Sequence, residues 1–400
     1  MKIPLYQVFI ITLLIIGSST VVEGSGIDNK EKKKISESLN YSEIKNLTQN
    51  EDDSVYPQIS TSSNSVYVVW QESVGNYASK NYDIFFMKSN DGGDTFGDPI
   101  NLSKNPGFSE HPQIAAVGDN IYIAWVDDSS GERKVMFCKS PDSGKTFSEI
   151  IVVDQNTIGP HHAELAAKGK NVYIVWNGFD TEINNKVLFS KSDDEGETFG
   201  ELREIGKADA ETYPKIAANA DGYYITWDKN KDKDTEILFI KGQEYNNAYN
   251  DTNPRRLNTQ GIDGGESQVA AFADRALVSW TSNLPVDKKY VYIKSSGNNG
   301  NDFGSTILIS AINSSNVENM IINDTIYVAW QDDINGNQDI YLTTSKINET
   351  SEDMPVNVSD NTGVSECPSI TVSRNGIHMV WEDNTTGNHE VLYKRLTQLH

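Results

Sequence analysis

Histidines, carboxylates and a thiol recur at one phase of this chain, and these are residue types that move protons, grip sugars or hold metals. Fourteen residues ahead of its seven tryptophans stand Tyr56, His111, His162, Tyr213, Glu266, Asn316 and Cys367. His111 and His162, with Glu110, His161 and Glu164 beside them, carry the nitrogen and oxygen donors of a transition-metal site. The plainer account is that His and Tyr fill a polar funnel. Glu110, Glu164, Glu211 and Glu266 are the candidates for acid–base work on a glycosidic bond, which requires two carboxyls about 5 to 9 Å apart. Further acids, Glu72, Asp127 with Asp128, Asp180, Asp228, Asp332 with Asp333, and Glu382 with Asp383, are expected as an outer ring of loops. They read either as paired carboxylates or as a repeated Asx turn. Asp333, Asn335, Asn337 and Asp339, around Gly336, alternate oxygen ligands as a calcium loop does, although Thr344 stands where a bidentate Glu would follow. Calcium is the cofactor that this loop implies.

A repeat positions these residues. All seven tryptophans close the same apolar phrase: VYVVW at Trp70, IYIAW at Trp125, VYIVW at Trp176, YYITW at Trp227, ALVSW at Trp280, IYVAW at Trp330 and IHMVW at Trp381. Pro57, Pro112, Ala163, Pro214, Ser267, Val317 and Pro368 precede them by thirteen residues without variation. A constant offset means a constant turn between two strands, because a one-residue slip would exchange the faces of every side chain beyond it. A third strand such as DIFFMKS (Asp83 to Ser89) and a fourth such as DPINLS (Asp98 to Ser103) complete a unit of roughly 50 residues, one four-stranded propeller blade. The second strand is apolar on both faces and needs cover on both sides. After Trp381 only a third strand, HEVLYKR, follows. Near the other end, KNLTQNEDDSVYP (Lys45 to Pro57) matches the fourth-strand phrases INLSKNPGFSEHP and VNVSDNTGVSECP, so it is expected to finish the last blade and close the ring. The fold expected is all-β: a seven-bladed β-propeller of four-stranded antiparallel blades over residues 43–400.

Composition narrows the partners. Thirty-four basic against fifty-seven acidic residues leave a net charge of −23, which argues against nucleic acid and anionic membrane surfaces. Two cysteines cannot build a disulfide framework; Cys138 and Cys367 are expected as free thiols. Residues 1–24 read as a secretory signal peptide, with an uncleaved N-terminal anchor as the alternative, and 25–42 as a flexible leader. A secreted or cell-surface monomer binding a glycan or an extracellular protein is the expectation. Nine sequons (Asn40, Asn46, Asn101, Asn250, Asn313, Asn323, Asn348, Asn357 and Asn384) fit such a glycoprotein.

The turn between third and fourth strands carries a second signature. SNDGGDTF, SPDSGKTF and SDDEGETF read S-x-D-x-G-x-T-F, with Asp91, Gly93 and Phe96, Asp142, Gly144 and Phe147, and Asp194, Gly196 and Phe199 at the key positions. SGNNGNDF is a degraded copy, with Asn298 for the Asp and Asp302 for the Thr. By these residues the chain resembles the Asp-box, or bacterial neuraminidase repeat, propellers of the sialidase-like superfamily. That resemblance implies the fold and leaves the activity open, since the superfamily includes sialidases, other glycosidases and receptors. Sialidases clamp a sugar carboxylate with three arginines. Here Tyr56, Pro57, Gln58 and Ile59 stand where the family has Arg-Ile-Pro, and of seven arginines only Arg133 is placed to reach the ligand face. The expected function is a non-catalytic binding or scaffold propeller recognising a glycan, protein or cation on an acidic loop face. The alternative is a glycoside hydrolase other than an exo-sialidase.

Overall fold

The structure, a computed structural model, describes residues 39–398 apart from 76–79, 155–156, 180–183, 210–211, 232–233, 246–247, 252, 261–263, 284–288, 311–313 and 348–354. The expected signal peptide, most of the leader, Asp180, Glu211 and the sequons Asn313 and Asn348 lie outside the described residues.

Seven antiparallel sheets follow one another along the chain. The first blade shows the pattern: Ser54–Ser62, Ser65–Val74, Asn81–Ser89 and the short outer strand Ile100–Asn101, each paired to the next. First strands of the other blades are Ser109–Val117, Ile158–Lys168, Lys215–Asn219, Gly265–Phe272, Ser315–Ile322 and Ser365–Ser373. The seven tryptophans are at most 2% exposed, and truncating such a side chain to Ala typically costs about 3–5 kcal/mol.

Apolar packing follows from the doubly apolar second strand. There are seven core clusters among the described residues, and each joins two neighbouring blades. One of them sets Ile59, Val68 and Trp70 of the first blade against Val380, Val391 and Tyr393 of the last, so the ring is closed. Its final sheet is Ser365–Ser373, Gly376–Asp383 and Glu390–Gln398, with Lys45–Asn46 paired onto Leu392 and Tyr393. Leu39–Tyr41 pairs onto the same strand at Leu396 to Gln398. The head of the chain therefore engages the ring earlier than the boundary at residue 43.

The S-x-D-x-G-x-T-F turns close in the same way three times. Asp91 accepts from Ser89 Oγ (2.7 Å), the Thr95 N–H (2.8 Å) and Thr95 Oγ1 (2.5 Å), and these bonds hold its carboxyl down to about 2. In the degraded copy the polarity reverses: Asn298 Nδ2 donates to Asp302 Oδ2 at 3.0 Å. The aromatic of each turn reaches across a blade boundary. Phe96 packs edge-on against Tyr393, Phe147 against Phe86, Phe199 against Phe137 and Phe303 against Phe239, with ring centroids 4.9–5.0 Å apart. Gly144 has φ +77°, and a Cβ there would lie 2.7 Å from the Phe86 ring, so both backbone and neighbour require glycine.

Both cysteines are free, Cys138 buried and Cys367 part-buried at the axis.

Candidate functional site

In six of the seven blades the first strand carries a defect, the fourth blade's Lys215–Asn219 pairing without one. Pairing with the second strand slips between Val55 and Gln58, Glu110 and Gln113, His161 and Glu164, Gly265 and Gln268, Ser315 and Glu318, and Glu366 and Ser369. At each slip one residue takes the left-handed conformation: Tyr56, His111, His162, Glu266, Asn316 and Cys367, with φ of 46–54°. Such a conformation costs about 1–2 kcal/mol per non-glycine residue and persists only where neighbours hold it. The neighbour is often the residue after the previous blade's tryptophan. The N–H of His111 donates to Gln71 Oε1 (2.9 Å), that of Cys367 to Gln331 Oε1 (3.0 Å) and that of Tyr56 to Glu382 Oε2 (2.9 Å), the last across the ring seam. Asn316 N–H donates to Glu266 Oε2 at 3.0 Å.

The six bulges and the equivalent Tyr213 of the fourth blade bring the expected set together. Tyr56, His111, His162, Tyr213, Glu266, Asn316 and Cys367 all line one axial cavity of about 360 Å³, within the range of small-ligand sites. Two residues further along the first strands lies a second ring, Gln58, Gln113, Glu164, Lys215, Gln268 and Glu318. Of these only Glu164 stands out in the sequence. The signal for the rest was present, since a strand repeats its inward face every second residue once the bulge is passed.

The mouth has two unlike halves. Tyr56, His111, His162 and Tyr213 form a continuous aromatic arc across four blades, with successive ring centroids 4.7, 4.0 and 4.2 Å apart. Burial, with nearby cations adding to it, lowers the pKa of both histidines, His111 to about 4, so both rings are neutral at pH 7. Glu266, Asn316 and Cys367 complete the mouth as a hydrogen-bonding arc, in which Asn316 Nδ2 donates to Gln331 Oε1 at 2.7 Å. Below, Lys215 is ion-paired and hydrogen-bonded to Glu164, which Gln113 Nε2 also approaches at 3.3 Å. Burial works against the Lys215 ammonium, yet Glu164 and Glu318 together hold its pKa above the ordinary lysine value. Glu318 accepts from Gln268 Nε2 at 2.6 Å, and burial pushes its carboxyl up to about 7.

Several expected roles change. Arg133 is bound to Glu110 and lies 3.3 Å from His161 Nδ1, so a guanidinium occupies the side of the histidine pair where metal donors were expected. No group of three His, Cys, Asp or Glu suited to a metal occurs among the described residues. The outer ring of acids is largely interior: Asp127 and Asp332 are 0% exposed, and Glu382 and Asp383 are buried too. Asp127 accepts from Asn105 Nδ2 (2.7 Å), Ser109 Oγ (2.7 Å) and Trp125 Nε1 (3.2 Å), and Asp383 from Asn361 Nδ2 and Ser365 Oγ (both 2.6 Å). These carboxylates tie the incoming loop to the second strand; the acidic loop face expected as a ligand surface is in large part a row of internal anchors. In the supposed calcium loop, Asn335 donates to Tyr341 Oη (2.9 Å) and Asn337 to the Asn361 and Gly363 carbonyls (3.0 and 2.7 Å). Asp339 accepts from Asn357 (2.7 Å) and Ser359 (2.9 Å). Asn81 and Asn388 make the same carbonyl contacts in their blades, so Asn337 belongs to a repeated loop tie. No arginine lines the cavity. Arg203 stacks on Phe189, Arg255 on Phe239 and Phe303, and Arg256, Arg275 and Arg395 are paired with Asp234, Asp324 and Asp94.

No protein-family model and no curated protein matches the chain. Solved structures do. A protein of unknown function from Dyadobacter fermentans has a TM-score of 0.56 at 12% identity, covering 90% of this chain and 100% of that one. The β-propeller domain of the Trilobed protease from Pyrococcus furiosus gives 0.55 at 12% identity, over 87% of this chain and 96% of that one. A Trypanosoma rangeli sialidase in complex with 2,3-difluorosialic acid gives 0.51 at 9% identity, over 86% of this chain and 54% of that one. At these identities the likeness is one of fold.

Proposed function

We propose that the protein is an exported or cell-surface, non-catalytic propeller of the Asp-box kind, acting as a monomer, whose axial funnel receives the end of a glycan. The observation that carries this is the divided mouth. An aromatic arc suits the C–H face of a sugar ring, while the facing Glu266 and Asn316, with the amides below, suit its hydroxyls. Binding is favoured over hydrolysis because Glu110, Glu164 and Glu266 are each committed to an ion pair, with Arg133, Lys215 and Lys289. A glycan array followed by calorimetry tests this reading. His162→Ala and Tyr213→Ala are expected to weaken the selected glycan at least about tenfold, as loss of a stacked ring does, with the fold intact by circular dichroism. Unchanged affinity in both variants overturns the funnel as the site.

The second reading, a glycoside hydrolase, draws on Glu164 and Glu318 sharing the cavity, the latter protonated in part at neutral pH. Product release from the bound glycan that stops in Glu318→Gln would replace the first reading with this one.

A further inference from the structure

Charge inside the funnel sorts its ligands further, an inference that rests on the glycan reading. Lys215 is hydrogen-bonded to Glu164, and Lys289 to Glu266 at 2.8 Å. Glu318 faces the same cavity, and its hydrogen-bond partner is a neutral amide, Gln268. The groups acting on Glu318 are Lys215 and Glu164 from neighbouring blades, while Cys367 of the next blade, a neutral thiol, shares the field around Lys215. Among the described residues lining the cavity, Glu164 is paired with Lys215 and Glu266 with Lys289 outside it, which leaves Glu318 as the surplus carboxylate.

A protonated amine answers these features together. Its charge matches the surplus carboxylate, its N–H groups can donate to Glu318, and the neutral rings of His111, His162, Tyr56 and Tyr213 offer π faces to a cation. We infer that the funnel is a receptor for the protonated amino group of a basic sugar, such as a de-N-acetylated hexosamine at a glycan end, with Glu318 as the anionic partner. Carboxylated sugars are excluded by the same surplus, because no arginine lines the cavity to offset a second anion.

Protonation of Glu318 makes the binding pH-dependent. Its folded carboxyl titrates near 7, so raising pH from 5.5 to about 7 creates the anion that an ammonium needs, and affinity for the amine rises over that range, until the amine begins to lose its own proton near pH 8. A neutral sugar lacks this dependence.

The test is calorimetry on the whole protein with three oligosaccharides of equal length: glucosamine-ended, N-acetylglucosamine-ended and glucose-ended. The glucosamine-ended probe is expected to bind at least about tenfold more tightly than the other two at pH 7, and at pH 6, where the amine is fully charged and Glu318 largely protonated, to release protons in paired buffers. Glu318→Gln is expected to erase that preference, the glucosamine-ended probe binding the variant no more tightly than the glucose-ended and N-acetylglucosamine-ended ones do. Equal affinity for all three, or a preference that survives in Glu318→Gln, overturns the amine inference and leaves the glycan reading standing. Binding of a simple alkylamine with none of the sugars adding affinity leaves Glu318 as an ammonium site but removes the glycan reading and, with it, the basic sugar as ligand. No binding by any probe, the alkylamine included, ends both.

Discussion

Replacing Asp127 by Ala separates an internal anchor from a ligand-binding acid. The side chain is fully buried and accepts hydrogen bonds from Asn105, Ser109, Ser129 and Trp125. Hydrogen bonds to a charged acceptor are worth about 1.5–3 kcal/mol each but do not add, and truncation strands donors in the interior, so a loss of about 3–5 kcal/mol is expected. With an unfolding entropy of about 2.1 cal/mol/K per residue over a ring of this size, about 4 kcal/mol lowers Tm by about 5 °C. Burial alone would raise the Asp127 carboxyl, but bonds from Ser129, Ser109 and Asn105 outweigh it and hold the pKa below the ordinary value. A depressed folded pKa contributes stability that is present above the unfolded pKa of about 3.9 and lost as pH falls through the folded one. The variant should therefore lose less stability than the parent on acidification below pH 4. Urea titrations at pH 7 and pH 3, with the exposed Glu132→Ala as a control expected within about 0.5 kcal/mol, measure both effects. A loss under about 1 kcal/mol at pH 7, or loss of glycan binding at unchanged Tm, would refute the anchoring role.

Two further outcomes follow from the repeat. Asn101 Nδ2 and Ser103 Oγ both donate to Asp83, at 2.6 and 3.1 Å, and Asn357 with Ser359 does the same at Asp339, so these sequons are blade ties. In a glycosylating host, glycopeptide mass spectrometry should find Asn101 and Asn357 bare and the exposed turn residue Asn323 open to modification; a glycan on Asn101 in the folded protein contradicts the tie. In the degraded turn, Asn298→Asp sets a carboxylate against Asp302 and is expected to cost about 0.5–1.5 kcal/mol, while the double change with Asp302→Thr recovers it; a double-mutant cycle showing no coupling would sink the polarity reversal.

The blades and the funnel mouth were legible because both recur at fixed offsets. Trp70 to Trp381 set the blade count, and a residue fourteen places ahead of each must occupy equivalent space. What defeated the reading was partnership across loops. Asp127 looks like a rim acid until Asn105 and Ser109, about twenty residues upstream, are seen to donate to it; Asn361 and Ser365 repeat that spacing before Asp383. Asn337 looked like a calcium ligand because its alternating neighbours were weighed alone, and its kinship with Asn81 and Asn388 shows only when the blades are aligned. The second ring was missed for another reason. Lys215 and Glu318 sit in phases shared by Gln58, Gln113 and Gln268, and amides drew no attention.

The pairing of Lys45–Asn46 and Leu39–Tyr41 with Glu390–Gln398 has a consequence for assembly. During synthesis the segment 39–46 waits about 350 residues for Glu390–Gln398, and until they meet, the nascent molecule keeps two raw β edges and an unsealed hydrophobic seam. Clipping at either extremity should thus be felt at the opposite one. A tag or fusion partner joined near Leu39 would burden the seventh blade although it is written beside the first.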